Sequence, residues 1–449
     1  MNAKIFREYD IRGVAEQDLT DPVVEDIGRA IGTHIKKIGG KKMSLGRDCR
    51  KSSQRLRNAL SKGLLSTGID VVDIGLVPTP LLYYSVLAYK QDGGVMITGS
   101  HNPPEHNGFK VAVGNLTIHG SEIQELRQII ESQDFAQGKG SLINQDIKDE
   151  YIAMVEAGIP HPLNVRVVVD SGNGMGGLVA PQLFRRLGCE VIELYSDPDG
   201  SFPNHHPDPT VLDNLKVLKE FTIREKAMVG IGFDGDADRI GVVDPSGRII
   251  YGDELLILYA RQILKHNPGA TIISEVKASR RLFEDIKVHG GKPLQWKTGH
   301  SLIKAKMKEV GALAAGEMSG HMFFKDRYHG FDDAIYAAAR LLEILNESKK
   351  TASELLADLP VSFTTPEIRV NCPDDVKFDV VGKARKHFEQ LGYSVNGIDG
   401  ARIEFEDGWG LVRASNTQPV LVFRFEATTE KRLKEIQQLV EKTVQRLLT

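Results

Sequence analysis

The run Val165-Arg166-Val167-Val168-Val169-Asp170 leads into Ser171-Gly172-Asn173-Gly174-Met175-Gly176-Gly177, then a helix-length segment from Pro181 to Leu187, then Val191-Ile192-Glu193-Leu194. A β-branched run, a glycine-rich turn, an amphipathic segment and a second β-branched run form a βαβ unit, which needs a parallel sheet with helices packed on it. The same alternation continues both ways along the chain. Upstream, Val71 to Ile74 and Val95 to Thr98 read as strands, and Asp21 to Ile38 and Gln54 to Ser66 as helices. Downstream, Met228 to Phe233 and Thr271 to Ser274 read as strands and Arg280 to Lys287 as a helix, and several helices stop near a glycine. The fold class is therefore α/β.

The end of the chain changes character. Gly410 to Arg413 and Val420 to Glu426 read as antiparallel strands, and Leu433, Ile436, Val440 and Val444 mark a terminal amphipathic helix. The length, 449 residues, is about three times a one-domain prior of roughly 150. We place domains at 1–145, 146–247, 248–358 and 359–449, the first three similar mixed α/β units and the last a smaller α+β unit. No internal sequence repeat is visible by eye. Asp197 to Pro209 holds four prolines and reads as a long surface loop, by default a plain connector.

Composition excludes several classes. Lys+Arg 57 against Asp+Glu 60 leaves a formal charge of -3, so no global field draws the chain to nucleic acid or an anionic membrane. Cys49, Cys189 and Cys372 are too few and too scattered for a disulfide framework, which fits a reducing cytoplasm. Charge at Arg7, Glu8 and Asp10 interrupts any apolar signal segment. Runs such as Leu255 to Ala260 fall far short of the ~20 residues that a spanning helix needs.

The glycines at 172, 174 and 177 also satisfy the dinucleotide fingerprint, with Glu193 lying 21 positions after Gly172. Asp170 and Ser171 precede them, however, and a carboxylate beside a pyrophosphate repels it. A tight turn that packs a helix on its sheet is the preferred reading.

Four other stretches carry chemistry. Asp234-Gly235-Asp236-Ala237-Asp238-Arg239 sits between the Met228 to Phe233 strand and a second strand at Ile240 to Val243. Three carboxylates brought together by a tight turn need a cation, and hard oxygen donors favour Mg²⁺ or Ca²⁺. Arg239 and Pro245 stand where an EF-hand loop needs Gly and Glu, which removes that motif, and a solvated acidic turn is the plainer alternative. Val95 to Lys110 is a strand that ends in Gly99-Ser100-His101-Asn102-Pro103 and delivers the Ser100 hydroxyl into a polar loop. It lacks the G-x-S-x-G elbow of acyl transfer; a serine within reach of a divalent cation suits phosphoryl transfer, although a turn or cap serine would look similar. Gly316-Glu317-Met318-Ser319-Gly320-His321 offers a carboxylate and a hydroxyl two residues apart, a weak signal for clasping vicinal sugar hydroxyls. Arg413-Ala414-Ser415-Asn416-Thr417-Gln418-Pro419 gathers the donors of a phosphate cradle, or is a plain hairpin loop.

Taken in order, Phe6 to Gly13, Thr98 to Lys110, Asp234 to Arg239, Gly316 to His321 and Arg413 to Pro419 resemble the signature set of the α-D-phosphohexomutases, over essentially the whole chain. Thr98-Gly-Ser-His-Asn-Pro103 and Gly316-Glu-Met-Ser-Gly-His321 are similar to the bacterial phosphomannomutase/phosphoglucomutase branch. The resemblance implies four domains around a central cleft. It also implies a phosphoserine at Ser100, in line with Mg²⁺ held by Asp234, Asp236, Asp238 and a phosphoryl oxygen. A hexose 1- or 6-phosphate would receive this phosphate, the 1,6-bisphosphate would flip, and its other phosphate would return to Ser100, with glucose 1,6-bisphosphate serving as activator. Glu317 and Ser319 would hold the O3 and O4 that mannose and glucose share. Arg413, Ser415, Asn416 and Thr417 would grip phosphate, and His101 and Lys110 would assist proton transfer. Tyr9, Arg12 and Arg239 would line the cleft near the serine and the bound phosphates, and Lys277 and His300 would face the sugar.

Departures are small. Ala237 replaces a common Gly, Glu8 stands where a small residue is frequent, and Gln418 varies within the cradle. The expected partners are small hexose phosphates, with neither nucleic acid nor membrane, and the expected state is a monomer. Alternatives kept open are a phosphoglucosamine mutase, a metal-dependent sugar-phosphate phosphatase and a non-catalytic sugar-phosphate binder.

Overall fold

The computed structural model describes residues 1–416 and 418–448. The α/β reading holds, and the sheets show how the three similar units expected from the sequence repeat one strand order. In the first domain, Lys42–Arg47 is central, with Asp70–Leu76 and Gly93–Ile97 parallel on either side and His106–Val113 antiparallel beyond. The second domain repeats this with Arg166–Asp170 at the centre, Glu190–Leu194 and Val229–Phe233 parallel beside it, and Ile240–Val243 antiparallel. The third does so with Thr271–Glu275, Lys292–Trp296, Ala314–Gly316 and Met322–Phe324.

Each unit thus pairs its first strand with its second and third, then turns back through a hairpin to an antiparallel fourth. That hairpin lies beyond the carboxyl end of the third parallel strand, where open α/β sheets present their ligands. The three hairpins span 98–105, 234–239 and 317–321 and carry the serine, acidic and sugar loops.

The fourth domain differs as expected. Its strands, among them Ala401–Phe405, Gly408–Ala414 and Val420–Ala427, pair antiparallel in one sheet packed by helices Lys377–Gln390 and Glu430–Leu448. Its chemical loop again joins two neighbouring strands, at 415–419.

Strands buried on both faces explain the continuous apolar runs: Val167, Val168 and Val169 are fully buried, and so are Val229 and Ile231. One apolar cluster runs through the first three domains, from Leu81 and Met96 through Val169 and Phe233 to Ile272 and Leu342. The fourth domain has its own cluster around Phe388, Phe425 and Ile436, and meets the third through a small patch of Val276, Trp409 and Leu411.

The proline-rich loop has no regular element, as read, but it is more than a connector. Phe202 is buried, with its ring 5.2 Å from the Arg50 guanidinium of the first domain. Among the described residues, no helix is long and apolar enough to cross a membrane.

Candidate active site

The serine and acidic loops meet face to face. Ser100 lies at the end of Gly93–Ile97 with φ +48°, a left-handed conformation that costs a non-glycine residue about 1 kcal/mol or more. Its N–H donates to the Thr98 hydroxyl at 2.8 Å, its hydroxyl donates to Asp234 Oδ2 at 2.7 Å, and His101 Nδ1 lies 3.1 Å from the same oxygen. The approach is close enough that a Cβ on Gly235 would sit 2.4 Å from the Ser100 carbonyl oxygen.

Asp234, Asp236 and Asp238 have no solvent exposure, and one oxygen of each lies within 4.8 Å of the others. The loop closes on itself, since Asp234 Oδ1 accepts the N–H groups of Asp238 and Arg239, each at 3.1 Å. Asp236 Oδ2 accepts the Thr79 hydroxyl at 2.6 Å and Lys110 Nζ at 2.7 Å, and Lys110 also reaches Asp238. Asp236 Oδ1 and Asp238 Oδ1 are buried with no hydrogen-bond partner.

One lysine cannot balance three carboxylates. Burial, then the charges of Asp236 and Asp238, pushes the Asp234 carboxyl far above its usual range. Burial acts the same way on Asp236, but Lys110 overcomes it and holds that carboxyl low. Burial alone would lower Lys110; the three aspartates raise it, so it stays an ammonium. Two orphaned oxygens and an all-oxygen donor set fit a hard divalent cation.

The sugar loop adjoins the acidic loop directly. Arg239 pairs across to His321 through a backbone bridge, and its Nε donates to His321 Nε2 at 3.0 Å. Glu317 Oε1 accepts the Gly299 N–H at 2.7 Å, and burial followed by the neighbouring Glu275 raises its carboxyl. Ser319 sits half-buried in the turn that the Gly320 N–H closes onto the Glu317 carbonyl. The His300 and His321 rings stack with centroids 5.5 Å apart, and burial, then Lys304, pushes His300 well below the usual range.

The phosphate loop reaches the cleft from the fourth domain. Arg413 is buried and paired with Asp399 at 3.2 Å, and Ser415 Oγ accepts the Gln418 N–H at 3.2 Å. Asn416 donates to the Tyr9 hydroxyl at 2.8 Å, and Tyr9 donates to the Thr298 carbonyl at 2.9 Å, so one phenol ties the N-terminal segment to two other domains. Thr417 lies outside the described residues. Arg12 pairs with Asp10 on the rim of the first sheet, and its charge is among those acting on His101. Lys277 sits between Glu275 at 3.4 Å and Glu367 at 3.2 Å, at the junction of the third and fourth domains.

Several contributors carried no readable signal. Asp332, fully buried, has Oδ2 3.3 Å from His321 Nδ1 and 3.7 Å from His300 Nδ1, while its Oδ1 accepts Lys304 Nζ at 2.8 Å. Asp238, His321 and Asp332 could also surround a cation, but Arg239 already donates to the imidazole and Lys304 pairs with Asp332, so their charges are already partly balanced by neighbouring cations. Arg50 and Asp48, beneath the serine loop, were equally invisible. In the turn at Gly172 to Gly177, Asp170 is paired with His205 at 3.0 Å, and the Met175 N–H donates to the Gly235 carbonyl at 2.9 Å, so the turn buttresses the acidic loop.

Four family models match the chain in order. They are described as phosphoglucomutase/phosphomannomutase alpha/beta/alpha domains I, II and III, at residues 3–137, 149–247 and 251–363, and the C-terminal domain, at 367–443. The chain is 49% identical over 434 residues to a phosphomannomutase/phosphoglucomutase of Pseudomonas aeruginosa, covering 97% of this chain and 94% of that one. It is 46% identical over 438 residues to a phosphoglucomutase of Neisseria gonorrhoeae, covering 96% and 95%. Among solved structures, a phosphoglucomutase/phosphomannomutase family protein of Burkholderia thailandensis superposes with a TM-score of 0.94 at 44% identity, covering 99% and 97%.

Proposed function

The chain belongs to the phosphoglucomutase/phosphomannomutase family, and from that premise we propose that it interconverts the 1- and 6-phosphates of mannose and glucose through a phosphoserine at Ser100. The observation that carries the reading is the Ser100 hydroxyl, 2.7 Å from Asp234 and supplied by a different domain from the carboxylates it meets.

The chemistry follows from the charges. The bond from phosphorus to Ser100 Oγ breaks as one forms to the free sugar hydroxyl, whose proton must leave to a base. His101 is half-buried, and desolvation, then Arg239 and Arg12, holds its pKa well below the usual value, so it enters the step as a neutral imidazole beside the serine, placed to take that proton. His321 is the other imidazole beside the acidic loop, and single substitutions of the two distinguish their shares. Lys110 remains charged and stabilises the anionic oxygens. Mg²⁺ would be held by Asp234, Asp236, Asp238 and an oxygen on Ser100, and supplies neutralisation of developing charge when bound.

Glu317 and Ser319 hold the sugar at O3 and O4, shared by the C2 epimers. Arg413, Ser415 and Asn416, with Thr417, hold the phosphate that is not reacting, and Tyr9, Arg12, Lys277 and His300 line the remaining walls. After the first transfer, the 1,6-bisphosphate turns end for end and returns its other phosphate to Ser100. Glucose 1,6-bisphosphate primes the enzyme in the same manner. The protein acts as a monomer in this reading, and three free thiols suit the cytoplasm.

The test is a coupled assay of mannose 1-phosphate and glucose 1-phosphate conversion with Mg²⁺ and trace glucose 1,6-bisphosphate, on wild type and Ser100→Ala. Turnover of both sugars that is largely lost in the variant is expected. Turnover of glucosamine phosphate alone, or release of inorganic phosphate, would overturn the substrate assignment.

A further inference from the structure

A loop that presents a nucleophile has no strand or helix to absorb its carbonyls, and a buried carbonyl left unpaired costs about as much as a lost hydrogen bond. The serine loop turns four carbonyls inward, and one side chain receives them all. Arg50 Nη2 donates to the Ser100 carbonyl at 2.8 Å and the Asn102 carbonyl at 2.6 Å; Nη1 donates to the Pro103 carbonyl at 2.5 Å and the His106 carbonyl at 3.0 Å.

The guanidinium is itself fixed. Arg50 is 2% exposed, its Nε lies 3.2 Å from Asp48 Oδ2, and the Phe202 ring of the second domain covers it. Asp48 Oδ2 also accepts the Gly99 N–H at 3.0 Å, so the residue before the nucleophile is held by the carboxylate that aligns the arginine. The fit is tight: a Cβ on Gly99 would fall 2.4 Å from the guanidinium carbon. On the outer side, His206 of the proline-rich loop bonds the His101 carbonyl.

We propose that Arg50, aligned by Asp48 and covered by Phe202, is the positioning residue of the nucleophile, holding the Ser100 backbone in its left-handed conformation so that Oγ points at the acidic loop. This rests on Ser100 being the phosphorylated residue. Phosphoryl transfer gains most of its rate from placement and charge, and a misplacement of about 1 Å costs about 10²-fold. Lysine cannot substitute, because four diverging in-plane donors are a property of the guanidinium fork and not of an ammonium. Arg50 touches no substrate, so its loss must act on turnover and leave affinity alone.

The experiment measures kcat and KM for glucose 1-phosphate in full-length Arg50→Lys, Arg50→Ala, Phe202→Leu and Ser100→Ala, each checked for folding by circular dichroism. Intact mass follows the rate of Ser100 phosphorylation by glucose 1,6-bisphosphate. Arg50→Lys is expected to lose about 10²-fold in kcat and to be phosphorylated correspondingly slowly, with KM within about twofold. Millimolar guanidinium chloride is expected to restore at least fivefold of the activity of Arg50→Ala and none of that of Ser100→Ala. If Arg50→Ala does not fold, Phe202→Leu carries the test, with an expected three- to tenfold loss in kcat at unchanged KM. An Arg50→Lys kcat within threefold of wild type beside an inactive Ser100→Ala would overturn the positioning role alone, as would losses confined to KM. An active Ser100→Ala would instead overturn the phosphoserine reading beneath it.

Discussion

The serine and acidic loops and the phosphate loop serve one cleft but are attached to the molecule in opposite ways. The first two lie in domains that, beside smaller clusters of their own, share an apolar cluster continuous through three domains, and their polar atoms are joined by buried bonds such as Thr79 to Asp236 and Lys110 to Asp238. The phosphate loop belongs to a domain with a core of its own, joined to the rest by one small apolar patch and a set of polar contacts. Arg402 donates to the carbonyls of Val276 and Ala278, Arg424 to that of Lys277, and Asp399 accepts the Thr298 N–H. A large shared apolar area resists separation, whereas a junction held mostly by hydrogen bonds regains part of their energy from water when it opens as a whole. The half that carries Ser100 and the acidic loop is therefore the more firmly joined, and the half that carries Arg413 is the one expected to move. Such a division suits a reaction whose intermediate must turn without leaving.

If the contrast is right, substitutions in the rigid half cut turnover and those in the fourth domain affect binding or attachment. Asp236→Asn removes an acceptor of Lys110 and Thr79 and a candidate metal ligand, and a fall in kcat of about 10³-fold or more, with metal affinity weakened in a Mg²⁺ titration, is the expected result. Arg402→Ala strips a buried guanidinium, centred 3.8 Å from the Trp409 ring, from the domain junction. Calorimetry should show a transition for the fourth domain lowered by about 3 kcal/mol and separated from the rest.

Glu367 joins the fourth domain to Lys277, whose charge outweighs the effect of burial and holds its carboxyl at about 2, against 4.5 when unperturbed. A depressed carboxyl contributes stability that is fully present above about 4.5 and lost as pH falls toward about 2. Protection of the junction amides, corrected for the intrinsic exchange rate, should fall as pH drops through that window in wild type. In Glu367→Gln the change should be absent, a difference of roughly 2 kcal/mol at neutral pH. Arg413→Lys loses the fork that suits a phosphate, and KM should rise roughly 10- to 30-fold while kcat changes far less. An equal fall in kcat would place the fourth domain inside the rigid half and break the comparison.

The smallest effect tests a sequence departure. Ala237 sits at φ +58° between Asp236 and Asp238, where the resemblance leads one to expect glycine. Ala237→Gly relieves left-handed strain but frees the unfolded chain, so melting should report a net change within about 1 kcal/mol and activity should be unchanged.

Much of this site was legible because its chemistry is written in contiguous stretches. A serine after an apolar strand, alternate aspartates between two strands and an arginine before Ser-Asn-Thr each announce themselves locally. The three-fold repeat of sheet topology was not, because strand order is a property of pairing and leaves no matching residues in the chain. His321 could have been found, since it ends the loop quoted for Glu317 and Ser319. Asp332 stands eleven residues later in an ordinary Phe331-Asp332-Asp333 turn, and nothing nearby shows that it faces two stacked histidines.

Residue type and spacing, by themselves, determined the α/β class and the separate C-terminal unit, and singled out the serine, the three aspartates and the Arg413 to Pro419 loop as candidates, because period, turn chemistry and clustered charge act over a few residues. Only the tertiary structure decided that Ser100 and Asp234 share a hydrogen bond across 134 residues, that Arg50 fills the space beneath the nucleophile, and that Tyr9 joins three domains. A buried carbonyl or carboxylate must find a partner, and packing between distant segments, rather than the local sequence, sets which group can reach it.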